Sequence, residues 1–123
     1  MKPEQIIERT KILAINVIMM ANELPRISPS QALSNQIIRS ATSVGANYRA
    51  ACRSKSVKDF IYKLKVVEEE LDETIYWLDL ISETHLYMQE KLVILKNEAV
   101  ELIKIIGKSL VTVKRNQKNN HVQ

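Results

Sequence analysis

The side chains that could carry chemistry are few: two histidines, His85 and His121, and one cysteine, Cys52. A general base has to be held within hydrogen-bond reach of the proton it takes. His85 falls in a predicted turn and His121 in a polar C-terminal stretch, so neither is placed for that work. The densest carboxylate run is Glu68-Glu69-Glu70-Leu71-Asp72-Glu73. A di-iron bundle needs inward glutamates and Glu-x-x-His on paired helices. Here no Glu precedes a His by three residues, and the acids fall largely on outward positions. The Arg-x4-His spacing of a helical ribonuclease is missed by one residue, since Arg115 and His121 are separated by five. There is no glycine-rich phosphate loop and no nucleophile elbow. A lone cysteine excludes an internal disulfide and a cysteine-based zinc site. Basic neighbours could lower the thiol pKa of Cys52, but no base or resolving thiol accompanies it, and a small packed residue is the simpler reading. The sequence predicts a non-enzyme with no cofactor and no metal.

What does stand out is charge. Ser43 to Leu64 holds a predicted helix end, a tight turn and a helix start, with Arg49, Arg53, Lys55, Lys58 and Lys63 opposed only by Asp59. Residues 39–65 carry seven Lys or Arg against one acid, 66–90 none against eight, and 91–123 seven against two. The net charge of +4 is modest, so its distribution matters more than its size.

The elements that position these residues follow from composition and period. Apolar residues make up 46% of the 123 positions, but only six are aromatic, with two Gly and three Pro. That suits a few long helices better than a turn-rich β fold. Helix 1 is predicted over 3–22, opened by Pro3 and ended by Leu24-Pro25, with a seam of Ile6, Thr10, Leu13, Val17, Met20 and Leu24. Helix 2 is predicted over 29–51, with Ser28 as cap, Pro29 at the first helical position and Gln31 completing a capping box. Its inward face is Leu33, Ile37, Ala41, Val44, Tyr48 and Ala51, with Gly45 read as allowing close helix packing and Asn47 as a buried, hydrogen-bonded residue. Ser56 and Asp59 form a capping pair for helix 3, over 57–83, whose seam is Phe60, Leu64, Val67, Leu71, Thr74, Ile75, Leu78 and Ile81. Helix 4 is predicted over 88–114, and 115–123 as a polar, disordered tail. Short connections make successive helices antiparallel, so the expected fold is an all-α, up-down-up-down four-helix bundle filling residues 1–114.

That topology gathers the end of helix 2, the start of helix 3, the end of helix 4 and the start of helix 1 at one pole. Arg49, Arg53, Lys55, Lys58, Lys63, Lys108, Lys114 and Arg115 would then form a basic pole, with the acidic run of helix 3 towards the other. Converging cations need neutralisation, and an RNA or DNA phosphate backbone supplies it. With few aromatics in the corner, binding should follow charge and shape rather than base stacking.

At 100° per residue, Tyr62, Val66, Tyr76, Trp77 and Leu80 fall outside the core seam of helix 3, which would leave a Trp in water and predicts a subunit or partner interface. The alternative function is therefore a protein-interaction scaffold using that stripe. The N-terminal MKPEQIIERTK has no signal-peptide core, and no run reaches the roughly 18 apolar residues of a membrane span. A cytoplasmic protein without membrane contact is expected.

Ser43-Val44-Gly45-Ala46-Asn47-Tyr48-Arg49, Arg53-Ser54, Asp59-Phe60, Glu70-Leu71-Asp72-Glu73-Thr74 and Tyr76-Trp77-Leu78 together resemble the bacterial four-helix-bundle family named for open reading frames in intervening sequences of 23S rRNA genes. The resemblance covers nearly the whole chain and implies an antiparallel bundle with no established catalytic residue. The chain also resembles the accessory proteins of diversity-generating retroelements, a likeness that implies a ring-shaped homopentamer with a basic surface binding nucleic acid and a reverse transcriptase. By that similarity Arg49, Arg53, Lys55 and Lys58 would belong to a nucleic-acid surface, and Tyr76 and Trp77 to packing or subunit contacts.

Overall fold

Apolar residues recurring every three or four positions decide the architecture of the computed structural model, which describes the backbone of residues 1–122 and the side chains through Asn119. Helix α1 spans Pro3–Asn22, α2 Ser28–Cys52, α3 Val57–Glu83 and α4 Gln89–Val122. In α1 the buried positions are Ile6, Thr10, Leu13, Val17, Met20 and Ala21. In α3 they are Leu64, Val67, Glu70, Leu71, Thr74, Leu78 and Ile81. Each helix packs on its sequence neighbours, and α1 meets α4 to close the ring, over a smaller contact than any other pair. The register is antiparallel throughout. Thr10 of α1 lies against Gly45 of α2, Ser40 of α2 shares a hydrogen bond of 2.9 Å with Thr74 of α3, Lys96 of α4 reaches Asp79 of α3 at 2.7 Å, and Arg9 of α1 pairs with Glu98 of α4. The molecule is the up-down-up-down four-helix bundle predicted, with Leu13, Ile37, Leu64, Leu71, Leu78, Ile81, Leu102 and Ile106 fully buried at its centre. Each such side chain contributes roughly 1.5–3 kcal/mol by leaving water.

Three local expectations are corrected. Ser28 is the first residue of α2, not its cap; Ile27 precedes the helix in an extended conformation and no side chain caps it. Gln31 turns instead to Asn35, one turn on. Residues 115–122 are not an irregular tail, because α4 runs to Val122. Half-buried Val113 and Gln117 carry the inward seam of Leu110 onward, and Lys, Arg and Gln favour helix. Gln123 lies outside the described residues. Glu70 is not an outward acid: it is 7% exposed and bonded by Arg39.

Gly45 packs against α1, and Asn47 bonds within its own helix. A Cβ at Gly45 would stand 3.5 Å from the Thr10 hydroxyl and 3.6 Å from its carbonyl, so α1 passes at contact distance. Half-buried Asn47 donates to the Ser43 carbonyl (2.9 Å) and hydroxyl (2.8 Å).

The α3–α4 turn is built on a strained residue. His85 has φ 56°, in the left-handed region. Its N–H bonds Ser82 O and the next N–H, from Leu86, bonds Ile81 O. That is a Schellman ending, whose left-handed position favours glycine. His85→Gly is expected to stabilise the fold by about 0.5–1 kcal/mol, read as a higher urea midpoint; an unchanged or lower midpoint would refute the strain.

Candidate nucleic-acid interface

The basic corner is held rigidly from both sides. α2 closes with Arg53 N–H on Ala50 O and Ser54 N–H on Ala51 O. α3 opens with the Ser56 hydroxyl accepting the Asp59 N–H at 3.1 Å, the predicted cap. Only four residues separate the helices, so the last turn of α2 lies beside the first turns of α3.

Arg49 of α2 and Arg53, the residue that follows the helix, line a shallow depression with Lys63 of α3 over the small side chains of Ala46 and Ala50. Lys63 is tied to Asp59 at 2.9 Å, and that hydrogen bond holds the Asp59 carboxyl below its ordinary range against the opposing effect of desolvation. Lys55 lines a second depression with Glu4, Tyr48, Cys52 and Phe60. Lys108 lines a third with Met1, Ile6, Phe60 and Val113, between α3 and the far end of α4. Phe60 belongs to both, so it marks the centre of the pole. Lys58, Lys114 and Arg115 stand exposed at the same end. The eight predicted bases therefore share one pole but spread over several faces of it rather than forming one cluster.

Their pairing sets them apart. Arg9, Arg39, Lys91 and Lys96 neutralise acids along the bundle and at the other end. Among the described residues, no carboxylate lies within 4 Å of Arg49, Arg53, Lys55, Lys58, Lys108, Lys114 or Arg115. Burial first, then neighbouring Cys52, push the Tyr48 hydroxyl far above its ordinary pKa, so it stays protonated. Cys52 itself is exposed. No group of three His, Cys, Asp or Glu able to hold a metal occurs among the described residues.

The α3 stripe is only partly as expected. Tyr62 and Tyr76 are 65% and 55% exposed, while Val66, Trp77 and Leu80 are half-buried. Trp77 is not left in water: it packs on the core cluster, meets Tyr76 edge-on at 5.0 Å, and has its Nε1 buried without a partner. Sequence reasoning missed the outer face of α1, where Ile12, Ile15, Ile18 and Met19 are all exposed. The signal was present, since no charged residue stands between Lys11 and Glu23.

Fold and site together define a small all-α protein, an antiparallel four-helix bundle with one basic end. The chain belongs to the 23S rRNA-intervening sequence protein family, whose model matches residues 3–108 and so spans Arg49, Arg53, Lys55, Lys58, Lys63 and Lys108. It is similar to a crystal structure, at 1.70 Å, of a protein of unknown function from the S23 ribosomal protein family of Bacteroides thetaiotaomicron. The two are 31% identical, with 89% of this chain and 98% of that chain covered and a TM-score of 0.81. No curated protein matches the chain. No helix among the described residues is long and apolar enough to cross a membrane.

Proposed function

We propose that this protein is a non-catalytic, homo-oligomeric nucleic-acid-binding protein that contacts phosphates, of RNA in preference to DNA, through its basic pole. The observation that carries the reading is the set of seven exposed cations at one end with no carboxylate within 4 Å among the described residues. Unneutralised charge on a rigid frame costs repulsion that a phosphate backbone relieves while releasing its own counterions. The family's name, tied to 23S rRNA, favours RNA. A ring of subunits, a pentamer by resemblance, would multiply the surface without new contacts on each copy.

The test is binding of labelled structured RNA and duplex DNA between about 50 and 300 mM salt. Four or more phosphate contacts give a log–log slope of about −3 or steeper. A flat affinity across the titration would rule the mechanism out.

A second reading has one observation in its favour, the exposed Tyr62 and Tyr76 on the acidic helix α3. There the protein would be a scaffold or accessory subunit, for example of a reverse transcriptase, docking its partner through Tyr62, Trp77 and Leu80. Tyr62→Ala/Tyr76→Ala, at exposed positions of the same stripe, would then abolish activity, whereas reversing the pole's charges would not.

A further inference from the structure

Residues 12–22 of α1 are eleven consecutive uncharged positions. A helix that is apolar all round is a buried helix, yet the bundle buries only one side of this one, through Leu13, Val17, Met20 and Ala21. On the other side Ile12 and Ile15 are each 45% exposed, Ile18 42% and Met19 60%. The apolar surface continues onto both neighbours. Ile12 lines a groove with Ile94 of α4, which is 68% exposed. Ile18 and Met19 line another with Ile27 and Ile38 on the α2 side. Ile15 lies one turn from each. These side chains expose on the order of 600 Å² of apolar area, at the top of the range for a monomer's largest patch and close to the ~800 Å² each partner buries in a stable interface.

We infer that this α1 face is where a second copy of the chain docks. This rests on the reading that the chain self-associates, and it moves the subunit contact from the α3 stripe to α1. Charge decides the occupant. The patch holds no charged side chain at its centre; Asn16, Asn97, Asn22, Asn35 and Gln31 line its two grooves, with exposed Arg26 in one and exposed Glu101 beside Glu98 in the other. Amides both donate and accept, so facing copies can satisfy one another. Glu98, at one margin, is already held by Arg9. Two copies meeting through their α3 stripes would instead set the carboxylates of Glu69 and Asp72, which no cation holds among the described residues, against each other, and like charges so placed cost affinity. Ile15, Ile18 and Met19 also lie in the half of α1 away from Pro3, so docking there leaves the basic pole open.

The experiment measures mass by light scattering and sedimentation at concentrations up to about 100 μM, on the full chain, on Ile15→Glu/Met19→Glu, and on Tyr62→Glu/Tyr76→Glu. The expected result is an assembled wild type, an assembled α3 variant, and an α1 variant that is monomeric with unchanged helical circular dichroism, its dissociation constant raised at least about 100-fold. The size-matched, uncharged Ile15→Asn/Met19→Gln separates dissociation from unfolding, and should weaken assembly without altering the urea midpoint of the monomer. If the α1 variants keep the wild-type mass, the inference is overturned while self-association stands. A monomeric wild type overturns both, and assigns the face to a different partner.

Discussion

Replacing Arg49, Arg53, Lys55 and Lys58 together by Glu should lower RNA affinity by about 10³-fold or more near 0.1 M salt. Each phosphate contact contributes close to one decade at that salt through counterion release, so four removed contacts give about three to four decades. The log–log salt slope should flatten by about 3, and repulsion by the new carboxylates adds to the loss. All four residues are exposed, and none pairs with a carboxylate among the described residues, so no native ion pair is broken. Helix electrostatics nearly cancel as well. A carboxylate at position 49 is unfavourable near the end of α2, whereas one at position 58 is favourable in the first turn of α3. Reversing Lys65 and Lys104, two exposed bases away from the pole, is the control and should weaken binding far less. Equal losses per reversed charge in the two variants would mean that net charge alone attracts the RNA. No loss in the first would remove the basic pole from the mechanism and turn attention to the α3 surface.

The sequence made the fold readable because few signals competed with the apolar period. Leu64, Val67, Leu71, Leu78 and Ile81 announce one buried face of α3, and Ser56 with Asp59 announces where it starts. Boundaries failed where local chemistry was overridden by packing. Ser28-Pro29 looks like a cap followed by a first turn, but the helix begins one residue earlier. The polar stretch after Lys114 looks like a tail, but Val113 and Gln117 keep it in register with the rest of α4.

The candidate site was legible as a charge distribution and less so as a geometry. Antiparallel topology alone places the bases at one end, and the structure places them there. What topology leaves open is the spread around the pole, which depends on helix rotation: Arg49, Arg53 and Lys63 share one depression and Lys108 lines another. The same uncertainty hid Glu70. A run of four glutamates and one aspartate in six residues reads as a solvated face, although positions 67, 70, 71 and 74 are spaced as a buried stripe. The α1 face was missed for the opposite reason. Its inner seam satisfied the bundle so well that the outer isoleucines of the same helix drew no attention.

Glu70 leads to the second large effect, Arg39→Ala. Arg39 is the clasp between α2 and α3: Nη1 donates to Glu70 Oε2 at 3.0 Å and Nη2 to Glu73 Oε1 at 2.6 Å. Its loss leaves a buried carboxylate and a half-buried one side by side with no cation. Breaking a buried pair from one side costs about 3–5 kcal/mol. The Arg39 side chain is 52% exposed, so solvent screens part of that, and about 1–3 kcal/mol at pH 7 is expected. The pH dependence identifies the cause. Burial first, then the hydrogen bond and charge of Glu70, raise the Glu73 carboxyl above its ordinary value, while Arg39 pulls it down. Removing Arg39 lets it rise further. A group raised in the folded state contributes stability that is present below its ordinary pKa and is lost as pH climbs through the folded one. The deficit should therefore be largest at pH 7 and shrink as acidification protonates Glu73. Urea unfolding of both proteins at pH 7 and near pH 5 measures it, and Glu70→Gln in the Arg39→Ala background should recover part of the loss at pH 7. An equal deficit at both pH values, without recovery, would assign the effect to the lost packing of the arginine stem and not to the stranded charge.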